Sequence, residues 1–386
     1  MRSARVAAFI AFHYRMQTMQ FLDRVLRNLC EFEVDRMHVT VITSTEDGAE
    51  QALLRSLCRN YFVDDSFAVA AYPDCQPPTL LPWMHKPLLQ AAATEQDFTH
   101  FIYSEDDIGL TYANFRYFLE YADALREFGL IPSFVRTEFA EGVIRSCDAP
   151  YSTVATRLIE LPGCTFAAPG FPYSACFVMD RKHVAEYLAS RSSDVERSIE
   201  LTDWDLRERA AMGLCWENPP AGFHHRYVVP VGTDLRPLAC CQVTHMPANY
   251  APMNESAYAK VPIERLFVRP GTPLLADGIL QRLRTHTGSV VFLDSDSGAL
   301  RHGPEDSSPG NLFLTQREGV GYLVAASADG SLRELPQTWA VVPGVGDTVG
   351  LQSDGLYLTA LPDGSVPLSG KLLLAWEQFS LEEGRS

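Results

Sequence analysis

The chain has 386 residues, of which 46% are hydrophobic and 21% charged. That length and composition fit two globular domains with full cores and exclude disorder, collagen and coiled coil as descriptions of the whole. Forty-eight acidic against 32 basic residues leave a formal charge of −16. So acidic a chain gains nothing from counterion release on nucleic acid and has no general attraction to anionic lipid.

In chain order, Val6–Phe12 is a short apolar run and a predicted strand. Arg2 and Arg5 ahead of it faintly resemble a signal peptide. The run is short, however, ends in His13-Tyr14-Arg15 and lacks a small-x-small cleavage site, so a cytoplasmic location is expected. The nine cysteines form no C-x-x-C pair and no zinc spacing, and they read as reduced thiols, with Cys240 and Cys241 in a core. Helical pattern follows over 16–30, a β-branched strand over 38–43 and a helix over 50–57. A Pro-rich loop spans 72–82, and a helix is predicted over 83–93 and a strand over 98–103. Residues 114–128 are the clearest amphipathic helix, with Asn114 as its start and Gly129 as its stop. Strands alternating with helices predict an α/β domain with a largely parallel sheet, and ligands gather beyond the carboxyl ends of such strands. Loops 12–16, 44–48 and 104–111 are therefore the candidates for a site. No run reaches membrane-span length.

Beyond about residue 275 helical periodicity disappears. Short strands lead into turns at Gly298, Gly330 and Gly364, and Trp339 and Trp376 follow the second and third units. Three such hairpin units predict a small all-β barrel of the trefoil kind, with an irregular β-sandwich as the alternative. The segment Val268–Asp277 reads as the linker, so the predicted domains are 1–270 and 271–386.

The densest chemical signal is Phe101-Ile102-Tyr103-Ser104-Glu105-Asp106-Asp107-Ile108, an apolar strand running into three acids. Adjacent carboxylates repel one another unless they are exposed, paired with cations or bound to a metal. Their hard oxygens suit Mg²⁺ or Mn²⁺, which complete their shells with water and phosphate oxygens. The plain alternative is an acidic surface turn in which Asp107 or Thr111 begins a helix. A second acidic element is Glu200-Leu201-Thr202-Asp203-Trp204-Asp205. Either aspartate is a candidate base, although Thr202-x-x-Asp205 also has capping-box spacing. His245 follows the apolar stretch 238–243; it reads either as a metal ligand or as a satisfied structural histidine. His224 and His225 compete for the ligand role.

Strand–Glu-Asp-Asp–helix, about 100 residues in, resembles the "DxD" element of GT-A glycosyltransferases over residues 5–265. The implied fold is a Rossmann-like α/β domain with a mixed, mostly parallel sheet, followed by a domain whose closing Trp376–Leu381 resembles fascin-like or ricin-like trefoils. The resemblance implies Asp107 and His245 as ligands of Mn²⁺ or Mg²⁺, with Glu105 and Asp106 on the ribose or the metal's waters. It further implies that Asp203 or Asp205 deprotonates the acceptor in an inverting transfer. His13, Arg15, Ser44 and Lys86 would bind the nucleotide, and Tyr173 and Ser174 the donor sugar or acceptor. The implied partners are a nucleotide-sugar donor and a glycan or lipid-linked acceptor, in surface polysaccharide assembly, with peripheral membrane association compatible with the latter. Alternatives from other classes are a metal-dependent nucleotidyltransferase or phosphohydrolase and a non-catalytic carbohydrate-binding or scaffold protein. The chain has no GxxxxGK[ST], GxGxxG after the first strand, GxSxG or HExxH.

Overall fold

The computed structural model describes residues 4–95, 97–149, 153–154, 157–202, 204–251, 258–259, 261–268, 281–294, 297–305, 312–317, 320–326, 332–346 and 348–383. The chain divides into two compact units, one of residues 1–148 and 157–263, the other of residues 149–156 and 264–386.

The first unit opens with β1 (Arg5–Phe12), α1 (Met19–Cys30), β2 (Arg36–Thr43), α2 (Gly48–Arg59) and β3 (Phe67–Ala71). Then come α3 (His85–Thr94), β4 (His100–Glu105), β5 (Ile108–Gly109) and α4 (Tyr112–Arg126). Strands β6 (Val135–Ala140) and β7 (Val143–Ser146), then β8 (Cys176–Asp180) and α5 (Arg181–Ala189), lead to α6 (Leu206–Ala210) and β9 (Gln242–His245).

The main sheet runs β8-β4-β1-β2-β3. Pairs β4-β1, β1-β2 and β2-β3 are parallel; β8 is antiparallel to β4. From Val6 to Phe12 every residue of β1 is buried, as an apolar strand covered on both faces must be. The chain steps from β1 outward through β2 to β3 and then crosses back, so that β4 enters on the other side of β1. The reversal makes the carboxyl ends of β1 and β4 the point where the connecting loops diverge and a crevice forms. The ladder carries Ala11 opposite Glu105, so the acids begin at its last rung.

A second sheet, β5-β9-β6-β7, mixes parallel and antiparallel pairing. Its register sets His245 opposite Ile108, next to Asp107. Helix α4 starts differently from expectation. Thr111 is the residue at the cap and Asn114 lies inside the helix: Thr111 N and Oγ1 donate to Asn114 Oδ1 at 2.8 and 2.7 Å. The buried Asn114 amide donates onward to the Cys240 and Gln242 carbonyls at 2.8 and 2.9 Å, which fixes the helix start to β9.

In the second unit six strands close on themselves: Gln281–Thr285, Leu312–Arg317, Val320–Ala326, Leu332–Pro343, Thr348–Ser353 and Phe379–Glu383. Each pairs antiparallel with the next, and the last pairs with the first. The interior holds Leu283, Leu314, Leu323, Trp339, Leu351 and Phe379. Two hairpins project from the ring, and Gly298 and Gly364 turn them at φ +69° and +83°, a region that an L side chain avoids. Gly330 and most of the predicted linker lie outside the described residues. All nine cysteines are free thiols, and no helix among the described residues is long and apolar enough to cross a membrane.

Candidate functional site

The crevice between β1 and β4 is an open pocket of about 190 Å³. Ala11, His13, Arg15 and Thr18 line it from the end of β1; Glu105, Asp106 and Asp107 line it from the end of β4. Phe21, Pro82, Arg207 and Pro247 complete the wall. Two of the three predicted loops therefore meet here.

The three acids have three environments. Glu105 is buried, accepts from Tyr173 Oη at 3.0 Å and is salt-bridged by the Arg207 guanidinium. Burial, together with the charges of Asp107 and Glu105, pushes the Asp106 carboxyl well above the carboxylate range. Burial would raise Asp107 as well. The hydrogen bond and charge of His245, with Arg136 and Arg207 beyond, outweigh it and hold Asp107 below its ordinary value.

His245 Nε2 lies 3.5 Å from Asp107 Oδ2. Its Nδ1 is bonded to Glu138 Oε1 at 2.6 Å. The Glu138 side chain is fully buried and also accepts backbone N–H groups from Tyr250 and Ala251, at 2.7–3.2 Å. A histidine oriented through one nitrogen by a carboxylate, with the other nitrogen facing an acid, is how proteins aim imidazole at a cation. Asp107 Oδ1 is buried and has no hydrogen-bond partner. An orphaned carboxylate oxygen beside an oriented imidazole is a donor set that fits a divalent cation. Glu138, Cys147 and His245 also lie within metal-ligating distance of one another. There, however, the Nδ1 and the carboxylate are spent on each other, and burial and Asp148 push the Cys147 thiol far up. That cluster is the support of the site.

Of the remaining predicted residues, His13 is in the pocket; burial, then Arg207, pulls its imidazole below the usual value. Arg15 is there too, exposed on the turn after β1. Ser44 and Lys86 are not among the pocket's lining residues. The Lys86 ammonium lies over the Trp83 ring at 5.1 Å, and Asp47 caps α2 by accepting from Ala49 and Glu50 N–H at 2.8 and 3.0 Å. Tyr173 and Ser174 are buried: Tyr173 holds Glu105, and Ser174 donates to the Cys176 carbonyl at 2.9 Å, so neither offers a face to a sugar. Between Ser174 and Cys176, Ala175 takes φ +53°, a left-handed turn costing about 1 kcal/mol; its carbonyl accepts the Glu105 N–H at 3.0 Å.

Asp205 is exposed at the start of α6 and its side chain makes no capping bond; Thr202 Oγ1 accepts from Trp204 N instead. The segment is fixed beside the pocket by three ties: Arg207 on Glu105, Trp204 against Tyr173 at 5.9 Å, and Trp83 Nε1 donating to the Leu206 carbonyl at 2.7 Å. Asp203 lies outside the described residues. His225 is a structural histidine, its nitrogens bonded to the Pro169 carbonyl and the Tyr227 N–H, and burial lowers it to about 4.

Sequence reasoning missed Arg136, Glu138, Asp148 and Arg207. Arg136 grips the buried Asp148 through two hydrogen bonds, at 2.5 and 3.1 Å, and its guanidinium lies over the Tyr173 ring at 4.9 Å. Strand Val135–Ala140 buries Arg136 and Glu138 together with Val135 and Thr137, and leaves Phe139 66% exposed. No family model matches the chain, and no curated protein matches it.

Proposed function

We propose that the first unit is a metal-dependent glycosyltransferase of the GT-A type, moving a sugar from a nucleotide-sugar donor to a hydroxyl of a glycan or lipid-linked acceptor. The observation that carries the reading is the pocket at the β1–β4 crevice, where Asp107 keeps a buried, unpartnered oxygen next to the oriented Nε2 of His245. Asp107 and His245 would hold Mn²⁺ or Mg²⁺, whose chemistry is to neutralise a diphosphate leaving group. Glu138 keeps the His245 ring turned toward Asp107 and fixes its tautomer. His13 and Arg15 receive the nucleotide at the mouth. Asp205, with a side chain uncommitted to its helix, or Asp203 takes the acceptor's proton, as a carboxylate must if an alcohol is to attack at neutral pH. Base and leaving group on opposite sides of the sugar give inversion. The closed six-stranded ring with its projecting hairpins supports a trefoil reading of the second unit.

The test is thermal melting with nucleoside diphosphates and nucleotide sugars, with and without Mn²⁺. A ligand that binds only the folded state raises Tm by mass action. The expected result is a Mn²⁺-dependent rise with one nucleotide, lost in Asp107→Asn. A folded protein that responds to no nucleotide overturns the reading.

A further inference from the structure

Two arginine–carboxylate pairs stand in this region, and they differ in one respect. Arg136 and Asp148 are both shut away, with side chains 7% and 11% exposed. In the other pair Glu105 is 4% exposed while Arg207 is 47% exposed and lines the pocket. Arg136, committed to Asp148, is buried with it. Arg207 reaches Glu105 through Nε and Nη2 and leaves much of its surface to the cavity. Five N–H donors exceed what one carboxylate accepts, so the group can face a second anion without leaving the first.

We propose that Arg207 is the pocket's diphosphate-binding residue, positioned in advance by Glu105. The inference rests on the functional reading above and adds a specific anion contact to it. Electrostatics supply the need. Glu105, Asp106 and Asp107 stand together on one wall, and a polyanion approaching it meets repulsion unless fixed positive charge faces it. Arg15 is the other arginine among the lining residues, and it sits exposed on a turn. Arg207 is the arginine held in place, by Glu105 itself and by the tie from Trp83 Nε1 to the carbonyl of Leu206, its neighbour. A planar fork of N–H donors also selects a diphosphate, with its charged non-bridging oxygens, over a nucleoside, which offers no anionic oxygen.

The experiment measures binding of inorganic pyrophosphate, uridine diphosphate and guanosine diphosphate in the presence of Mn²⁺, and of Mn²⁺ alone, to wild type, Arg207→Gln and the double variant Glu105→Gln/Arg207→Gln. Loss of charge-assisted hydrogen bonds is expected to weaken the diphosphates about 10–100-fold in Arg207→Gln and to leave Mn²⁺ alone within about threefold. The double variant leaves no buried acid unpaired. It is expected to recover the melting temperature of wild type but not the diphosphate affinity. A double variant, or a folded single variant, that binds pyrophosphate as wild type does overturns the inference and leaves the glycosyltransferase reading standing. A wild type that binds no diphosphate overturns both.

Discussion

Around the β1–β4 crevice the first unit keeps Glu105, Arg136, Glu138, Asp148 and His245 out of water. The ring of the second unit is filled by leucine, valine, tryptophan and phenylalanine, and among its described residues Glu377 is the one buried carboxylate. Both arrangements exclude solvent, but by different physics. Apolar contacts stabilise the ring directly, at about 25 cal/mol per Å² removed from water. Paired charges roughly cancel their own desolvation and stabilise little that well-packed apolar side chains would not. Five such groups gathered around the crevice therefore add little stability of their own, whereas the ring's interior is stabilised directly by what fills it.

Substitutions sharpen this contrast. The largest effect is expected from Arg136→Ala, which strands Asp148 as an uncompensated buried charge and costs about 3–5 kcal/mol by chemical denaturation. Leu314→Ala in the ring is expected to cost a comparable 2–5 kcal/mol by leaving a cavity. Replacing Arg136 and Asp148 together by Met and Leu separates the two cases: the charge pair is expected to be recovered to within about 1–2 kcal/mol. If the double replacement is as unstable as Arg136→Ala, the pair is structural and the contrast fails.

Next comes pH. Burial lowers both His85 and His225 to about 4, so each is neutral in the folded protein. The unfolded value is about 6.5, so their contribution is complete above pH 6.5 and is lost as pH falls from there through 4. About 3 kcal/mol per ring is at stake over that window. Denaturation midpoints measured from pH 7 to pH 4 are expected to fall, and to fall less steeply in His85→Gln. An unchanged slope in that variant would remove His85 from the account.

The smallest effect on folding, and the most informative about the site, belongs to Glu138→Gln. The amide keeps the shape and can still bond the ring, but it no longer fixes the tautomer. Mn²⁺ affinity measured by calorimetry is expected to drop 10–100-fold. An unaltered affinity would mean that His245 is not a ligand.

The parts of this chain legible in its sequence were those that obey one rule at a time. Strands β1, β2 and β4 each carry an apolar or β-branched run, and of the stripe Phe115, Phe118, Leu119, Ala122 and Leu125 on α4 the structure buries all but the half-buried Leu119. The short edge strand Phe67–Ala71, mostly alanine, has too little hydrophobic contrast to stand out from a loop. Strand β6 hides for another reason: it buries Val135, Arg136, Thr137 and Glu138 in succession, and the two charged residues are inside because each meets a partner there, Asp148 twelve residues on and His245 in a distant strand. Pairing across more than a hundred residues, as between Glu138 and His245, leaves no local trace. Arg207 was invisible for the same reason, since in a helix start its charge needs no explanation. The acids themselves were conspicuous, because three like charges after a buried strand demand one.

The closure of the second unit has a consequence for how it is made. Strand Gln281–Thr285 pairs with Leu312–Arg317 on one side and with Phe379–Glu383 on the other, so the ring is sealed by a contact nearly a hundred residues long in sequence. During synthesis that strand must wait, with one edge open, until residues 379–383 have left the ribosome. An open edge is a template for the wrong partner, and long-range antiparallel pairing is slow. The interval between emergence and closure is thus the period in which a nascent chain most needs a chaperone, and any change that delays the last strand lengthens it.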